Sequence, residues 1–549
     1  MHPRKPKSPL LERLLRNIAT AMKAQEMNVP SGEAAEHFSN ERRKFLINAG
    51  KLAAGGAIIN SLQSCSKVLE HITPYNLDGL TSSRSPGSSS IAPRIAIIGA
   101  GIAGLHAAFL LKQKGYNATV YEGSNRIGGR IFTANNIMGT GLYTEMGGEF
   151  IDSIHKDMLT LAKTFNLELL DTRPGNQTSL QYQAYYFNGI HYTEKQVIDA
   201  FMPYASFIKA DQLGMSGIIT ADSFSPFDAT LDNMSIAQYF DRIGLNGWLR
   251  SLLDVAYVTE YGQGIDNQTA LNFLWLISPR VTNGTFEIFG ASDERYKIKG
   301  GNQQITNRLA AELSGQIQLS QELNAITKNN NGSYGLTFSS GTSVKTVAAD
   351  FLLITIPFTL LRKVDVKPAW PEWKRKAIFE IGYGNNSKLM LGFTKRYWND
   401  IGFAGYYFAD TFLQSGWDNS ELQVPASGGL TVYSGGQQAL NVAKGTLASQ
   451  VKQHITELDK MYPGAASFYN GRAERFTWPE YKWTLCSYTC FKPGQYTTIA
   501  GNEIKPVDRI YFAGEHCSYN YQGYMNGSAE TGRRAAESIL AAVKNYSGI

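Results

Sequence analysis

Gly99, Gly101 and Gly104 follow the apolar run 95–98 without a break, and this G-x-G-x-x-G spacing suits the binding of a phosphate. Gly99 permits a tight turn, Gly101 lets a pyrophosphate approach the backbone, and Gly104 lets a helix pack closely on a strand. Together with Ala100, Ile102 and Ala103 they open a helix that runs to about residue 114. The N-terminus of that helix offers free N–H groups and the positive end of a dipole. A second strand over 118–121 ends at Glu122-Gly123. Glu122 lies 23 positions after Gly99, where a carboxylate can accept both hydroxyls of an adenosine ribose. A glycine triplet alone is commonly just a turn. In this strand–turn–helix–strand setting, closed by an acid, it reads as a dinucleotide site.

Arg126, Gly128, Gly129 and Arg130 come directly after the ribose acid. This R-x-G-G-R stretch resembles the flavin-dependent amine oxidase family (monoamine, L-amino-acid and polyamine oxidases), which uses FAD rather than NAD. The resemblance implies that Arg130 reaches the pyrophosphate. A second signature lies near the C-terminus, where Phe512-Ala513-Gly514-Glu515-His516 precedes Gly523-Tyr524-Met525-Asn526-Gly527. In the family Glu515 would meet the ribityl and phosphate region. A helix starting near Met525 would point its dipole at the pyrimidine end of the flavin. Between the two signatures, Gly147 and Gly148 match the glycine pair that contacts the flavin, and Glu149 and Phe150 follow them.

Three further positions carry the resemblance. Lys388 sits in an apolar strand-like run, where a lysine is costly to bury. The family places a lysine here, bonded through water to the flavin N5, where it supports reoxidation by dioxygen; a lysine on an edge strand would instead reach solvent. Tyr488 and Tyr524 match the two walls of the family's aromatic cage, although plain core packing explains many tyrosines. The implied reaction moves a hydride equivalent from the amine carbon to the flavin. The imine then hydrolyses to a carbonyl compound and ammonia, and dioxygen leaves as hydrogen peroxide. In family members with a covalent flavin a cysteine directly precedes the cage tyrosine. Here that residue is Ser487, with Cys486 one position early, so the FAD is expected to be non-covalent.

An amino-acid oxidase of this family holds the substrate carboxylate with an arginine shortly after the glycine pair, and the matching position here is Phe150. An amine without an α-carboxylate is therefore expected. Glu149 and Asp152 would repel an anion if they faced the pocket, and could hold the distal cation of a diamine. The alternatives are an L-amino-acid oxidase or tryptophan 2-monooxygenase, or an amine dehydrogenase passing electrons to a quinone.

The elements that must position these residues are interleaved. The expected fold class is α/β, a Rossmann-like FAD-binding domain interrupted by a substrate domain of mixed sheet and helices. The expected cofactor segments are 94–158, 288–357 and 496–549, with substrate segments over 159–287 and 358–495. Strands 316–320, 325–328, 334–338 and 344–347 read as a meander before the buried strand at 351–357.

The net charge of +6 is misleading, because residues 1–93 hold twelve Lys/Arg against seven Asp/Glu and the remainder is close to neutral. A neutral body has no electrostatic footprint for nucleic acid. Cys65, Cys486, Cys490 and Cys517 are too few for a disulfide framework and lack zinc-ligand spacing with histidines, so no metal is expected. A single bridge from Cys486 or Cys490 to Cys517 stays open. Residues 1–65 read as a leader outside the fold. Asn40-Glu41-Arg42-Arg43-Lys44-Phe45-Leu46 resembles a twin-arginine export signal, and 52–62 is apolar but too short to span a bilayer. Leu62-Gln63-Ser64-Cys65 resembles a lipoprotein box. The implied partners are the twin-arginine translocase and, through Cys65, membrane lipid, with a periplasmic or envelope location; the alternative is cytoplasmic. Ahead of the arginines, Ser8-Pro9 could cap a helix with Leu10, Leu11, Leu14, Leu15 and Ile18 on one face. Residues 66–93 have the composition of a flexible tether.

Overall fold

An apolar run without a polar face has to lie inside a sheet covered on both sides. In the computed structural model, which describes residues 9–32, 34, 92–172, 180–277, 281–282, 285–286, 294–544 and 546, this holds for strand β1, Ile95–Ile98, every residue of which is buried. β1 pairs in parallel with β2, Ala118–Tyr121, and with β3, Phe351–Ile354. Ile317–Gln318 extends the sheet beyond β2, and Ile510–Phe512 extends it beyond β3. This five-stranded sheet thus gathers pieces from both ends and the middle of the chain. The helix Ile102–Gln113 follows the glycine loop, and the C-terminal helix Met525–Val543 lies against it. A Cβ at Gly532 would sit 2.3 Å from the carbonyl oxygen of Ala103, so only glycine allows that approach.

The expected meander is three strands rather than four. Glu322–Lys328, Tyr334–Ser340 and Ser343–Ala349 are antiparallel, whereas Ile317–Gln318 pairs in parallel with β2. Backbone bonds from Val120 N–H to Gln316 and from Glu122 N–H to Gln318 hold it there.

A mixed seven-stranded sheet forms the other half. Its order is Tyr469–Thr477, β4 (Asn386–Phe393), Gly428–Gly435, Ser415–Asp418, Phe403–Ala409, Gln181–Phe187 and Ile190–Tyr192. All eight residues of β4 are buried, and it is paired on both sides, with Lys388 opposite Tyr433 on one neighbour and Phe476 on the other. Lys388 therefore does not lie on an edge strand. Of the helices from Glu194–Phe201 to Ala270–Leu276, Gly247–Tyr261 packs against this sheet and the others pack around it. Three of them start at reciprocal capping boxes, Thr193 with Gln196, Ser225 with Asp228 and Ser235 with Gln238.

The N-terminus departs from expectation. Pro9–Met27 is a helix, and Leu10, Leu14, Ile18 and Ala21 are fully buried in the same core as the helices of the substrate half. Asn17 Nδ2 donates to the hydroxyl of Tyr185 at 3.0 Å, and Glu26 pairs with Lys209 at 3.3 Å. An apolar stripe on a polar helix needs a cover, and here the fold supplies one. Residues 1–65 are thus not wholly a detached leader. Arg42, Arg43, the stretch 52–62, Cys65 and the tether before residue 92 lie outside the described residues. Among the described residues no helix is long and apolar enough to cross a membrane.

Leu14→Ala should consequently lower the stability of the whole body by about 2–5 kcal/mol, the cost of emptying a buried leucine site. Urea unfolding followed by tryptophan fluorescence measures it, and an unchanged midpoint would mean that the helix is not part of the fold.

Candidate active site

The three loop glycines have different reasons to be glycine. Gly99 has φ +108°, and a Cβ there would come within 2.6 Å of Thr355 Oγ1. A Cβ at Gly104 would meet the carbonyl oxygen of Gly99 at 2.1 Å. Gly101, the N-cap of the helix, would meet no protein atom nearer than 3.9 Å. Protein packing explains the first and third; at Gly101 the clear space faces a cavity of about 290 Å³. That space is the one a pyrophosphate would fill, at a helix N-terminus where Ile102 and Ala103 also line the cavity. Ala100 and Gly104 do not line it. The N–H of Ala100 instead donates to Glu122 Oε2 at 2.8 Å, and the N–H of Ser124 donates to Oε1 at 2.8 Å. Glu122 is thereby fixed on the cavity wall, beside Gly123, with lone pairs left for hydroxyl donors.

Both arginines and Gly129 line the cavity, but the arginines do different work. Arg126 folds back on its own loop, donating to the carbonyls of Ile127 and Gly129 and to the hydroxyl of Tyr481, with its guanidinium 4.6 Å from the Phe132 ring centre. Arg130 reaches across, donating from Nη1 to Ser487 O at 2.7 Å and to Glu515 Oε1 at 2.8 Å. Glu515 also accepts from the N–H of Gly523 at 2.8 Å and from Thr489 Oγ1 at 3.2 Å. Gly514, with φ +132°, turns the chain into Glu515, and Tyr524 caps the C-terminal helix that begins at Met525. Met525 packs on Gly148, where a Cβ would be 2.7 Å from its Cγ; at Gly147 a Cβ would collide with Arg130 O. Gly147, Gly148, Gly514, Glu515, Gly523, Tyr524 and Met525 line the same cavity.

At the far end the lysine of β4 is buried. Lys388 Nζ donates to Glu145 O at 2.8 Å, to Gly147 O at 3.0 Å and to Glu149 Oε2 at 3.0 Å. The other oxygen of Glu149 accepts from Lys297 Nζ at 2.8 Å. Burial opposes ionisation of Glu149, but the two ammonium groups outweigh it and hold its pKa down at about 2. Glu145 shows the opposite outcome. Burial pushes it up to about 8, against hydrogen bonds from Asn302 N–H and Thr133. The expectation that Glu149 would repel an anion or hold a diamine's distal cation gives way, because its charge is already matched. Asp152 does not line the cavity and is tied to the Glu294 N–H and to His155.

The walls at this end are aromatic. Tyr488 and Tyr524 both line the cavity. Tyr488 bonds to the hydroxyl of Tyr433 at 2.7 Å and to Glu260 O at 2.8 Å, while Tyr524 packs edge-on against His155 at 5.1 Å. Trp417 links Tyr433, at 5.3 Å between ring centres, to Phe150, at 6.1 Å, and Lys388 Nζ stands 5.2 Å over its ring. Ser487 lines the cavity with its hydroxyl turned to Asn386, while Cys486 lies in the core beside Thr359, its thiol pushed up by burial to about 11. No bridge joins Cys486 or Cys490 to Cys517 among the described residues, which closes the disulfide left open above.

Lys297, Tyr433 and Trp417 went unread in the sequence. The one available signal was Lys297 inside the apolar alternation Tyr296-Lys297-Ile298, the same oddity that marked Lys388.

The chain matches the family described as flavin containing amine oxidoreductase over residues 102–540. A flavin-containing amine oxidase of Danio rerio is 25% identical over 465 residues, covering 82% of this chain and 86% of that protein. A putative L-amino-acid oxidase of Bacillus subtilis, YobN, is 25% identical over 485 residues, covering 84% and 96%. Among solved structures, cyclohexylamine oxidase from Brevibacterium oxydans shares the fold with a TM-score of 0.71 at 22% identity, covering 83% of this chain and all of that one. Putrescine oxidase bound to putrescine does so with a TM-score of 0.68 at 19% identity, covering 82% and 99%. With a glycine loop, a ribose acid and the Arg130–Glu515 pair lining one cavity, and the family matched over most of its length, this chain belongs to the flavin containing amine oxidoreductases, FAD-dependent enzymes that oxidise amines.

Proposed function

We propose that the protein oxidises primary amines lacking an α-carboxylate, with dioxygen as acceptor. The balance is amine, dioxygen and water in, and carbonyl compound, ammonia and hydrogen peroxide out. FAD, when bound, supplies the ring that accepts the hydride equivalent. The chain's own residues do the rest. Glu122 offers acceptors to the ribose hydroxyls, and the amide groups after Gly101 take the pyrophosphate with Arg130 beside it. Ser487 in place of a cysteine, and the core position of Cys486, support a non-covalent cofactor. Tyr488, Tyr433, Trp417, Phe150 and Tyr524 shed water from the reacting end. Burial disfavours an ammonium there, so the amine reacts neutral and needs no separate base. Lys388 holds its cation among the carbonyls of Glu145 and Gly147, where we place the dioxygen reaction.

The observation that carries the substrate reading is at Phe150. The position that would hold a carboxylate is a phenyl ring against Trp417, and both cavity arginines are committed, Arg126 to its loop and Arg130 to Glu515. Arg250 in the helical layer pairs with Asp241 at 2.8 Å and bonds to Leu245 O; Arg280 lies outside the described residues. A buried carboxylate without a partner costs several kcal/mol, so kcat/KM for tyramine should exceed that for phenylalanine, tryptophan or arginine by on the order of a hundredfold or more. With Glu149 matched, putrescine should also fall below tyramine. Peroxide-coupled assays decide it, and efficient turnover of any of the amino acids would defeat the reading.

Glu145 and Glu149 make a pH-dependent pair. Glu145 is raised from an ordinary 4.5 to about 8, so its proton stabilises the folded state fully below pH 4.5. That contribution shrinks as the pH rises and is gone above about 8. Glu145→Gln mimics the neutral form at every pH. The difference in Tm between this variant and the parent should therefore move in the variant's favour from pH 6 to pH 9. A pH-independent difference would show that Glu145 is ionised throughout.

We also read Arg42-Arg43 as a twin-arginine signal that takes the folded, FAD-loaded protein across the membrane through its translocase, with Cys65 as a site for lipid. The support is the paired arginines, the short apolar stretch and the following cysteine. Changing both arginines to lysine keeps the charge and loses the guanidinium. The variant should stay in the cytoplasm, and an unchanged distribution between cytoplasm and envelope would reject the export reading.

A further inference from the structure

Lys297 is a buried lysine that no family motif marked, on the strand Tyr296–Ile298. It does not line the cavity; it reaches the cavity through Glu149, whose second oxygen holds Lys388. The three side chains are each no more than 7% exposed. Such a row is expensive to bury unless its charges are arranged to a purpose or are fully hydrogen-bonded. Glu149 is ionised between two ammonium groups, so the row carries one net positive charge. If Lys297 were absent, Glu149 and Lys388 would cancel. Lys297 also stands 4.8 Å over the Phe150 ring, so the row and the aromatic wall are in contact.

We infer that Lys297 is a positioning residue for Lys388: through Glu149 it keeps the cavity end of the row net positive, and that single charge promotes flavin reoxidation by dioxygen. The inference rests on the reading above, in which Lys388 is the lysine beside the flavin. A fixed positive charge in a water-poor site stabilises negative charge as it develops on the acceptor. It also favours the reduced, more negative cofactor over the oxidised one.

Charge counting gives the test. The parent row is +1, Lys297→Met makes it zero, and Lys297→Met with Glu149→Gln restores +1 on Lys388 alone. The measurements belong at pH 6, where the neighbouring carboxyls Glu145, raised to about 8, and Glu421, raised to about 7, are mostly neutral. In stopped-flow oxidation of pre-reduced holoenzyme, Lys297→Met should be slower by about tenfold or more, the scale of one charge interaction in a screened interior. The double variant should return to within about threefold of the parent. The flavin reduction potential should fall in the single variant and recover in the double. In the protein stripped of FAD, the Tm should follow the same order, because the single change leaves a buried carboxylate short of one partner. A purely structural role predicts instead that the double variant is at least as impaired as the single, and that result overturns the inference. So does a single variant that reoxidises at the parent rate while Lys388→Met is slow. If Lys388→Met itself reoxidises at the parent rate, the underlying placement of Lys388 fails and the inference goes with it.

Discussion

The carboxylate of Glu515 is the point at which the cavity is tied shut. It accepts from Arg130, which comes 385 positions earlier, from the N–H of Gly523 and from Thr489. Arg130 in turn donates to the carbonyl of Ser487, so one ion pair, its carboxylate buried and its guanidinium partly so, binds the end of the glycine-rich loop, the segment before Tyr488 and the turn into the C-terminal helix. No single one of these segments is stiff enough to define a pocket. Gly128 and Gly129 have φ of +99° and +56°, and Gly514 and Gly523 have φ of +132° and +88°, so the chain is least constrained by its own backbone where the pair acts. Removing Arg130 would leave the buried Glu515 carboxylate without its charged partner, a loss that costs up to about 3–5 kcal/mol. The pocket's shape follows from this constraint more than from any one secondary-structure element.

Charge at the reacting end is settled by partners rather than by residue type. Glu145 and Glu149 lie four positions apart, both nearly fully buried, and end at opposite limits of ionisation. Glu145 has a backbone N–H and a hydroxyl, which do not compensate burial; Glu149 has two ammonium groups, which do. The site thus places a neutral carboxyl, an ionised one and two cations within one turn of chain and two strands. An amine entering this end meets aromatic faces and a matched carboxylate. The matched charge of Glu149 is what supports the proposed preference for monoamines over diamines.

The cofactor half was legible because its chemistry is written in the backbone. Gly99, Gly101 and Gly104 announce a turn, a phosphate approach and a close packing by their spacing alone, and strands 95–98 and 118–121 lie where their apolar pattern put them. The C-terminal helix begins at Met525, where the family resemblance placed its start, and runs to Val543. At the substrate end the apolar pattern alone marked only Lys388, where a charge interrupts the run; Glu149, Phe150, Tyr488 and Tyr524 came from the family resemblance. Tyr433 is opposite Lys388 because of an antiparallel register set across 45 residues, and no local pattern carries a register. Lys297 and Glu149 meet across 148 positions. Sequence spacing shows which residues are unusual; which of them touch is decided by strand pairing.

The N-terminal helix was misjudged for a related reason. A basic amphipathic segment ahead of paired arginines has the composition of a leader, and composition cannot distinguish a stripe that will meet solvent or a transport receptor from one that will meet its own protein. What distinguishes them is a complementary surface, and here that surface is built by residues about 170–190 positions away. Tyr185 receives Asn17, Gln183 donates to the carbonyl of Leu10, and Val197, Phe201 and Ile208 complete the core around Leu14 and Ile18. Because the helix packs on the substrate half and the arginines follow it, any cleavage before Cys65 would sever its covalent link to the body. The buried stripe and the Asn17–Tyr185 bond would then be what holds it. Were the proposed export signal processed there, the same hydrophobic contacts that make the helix part of the fold would keep it on the body.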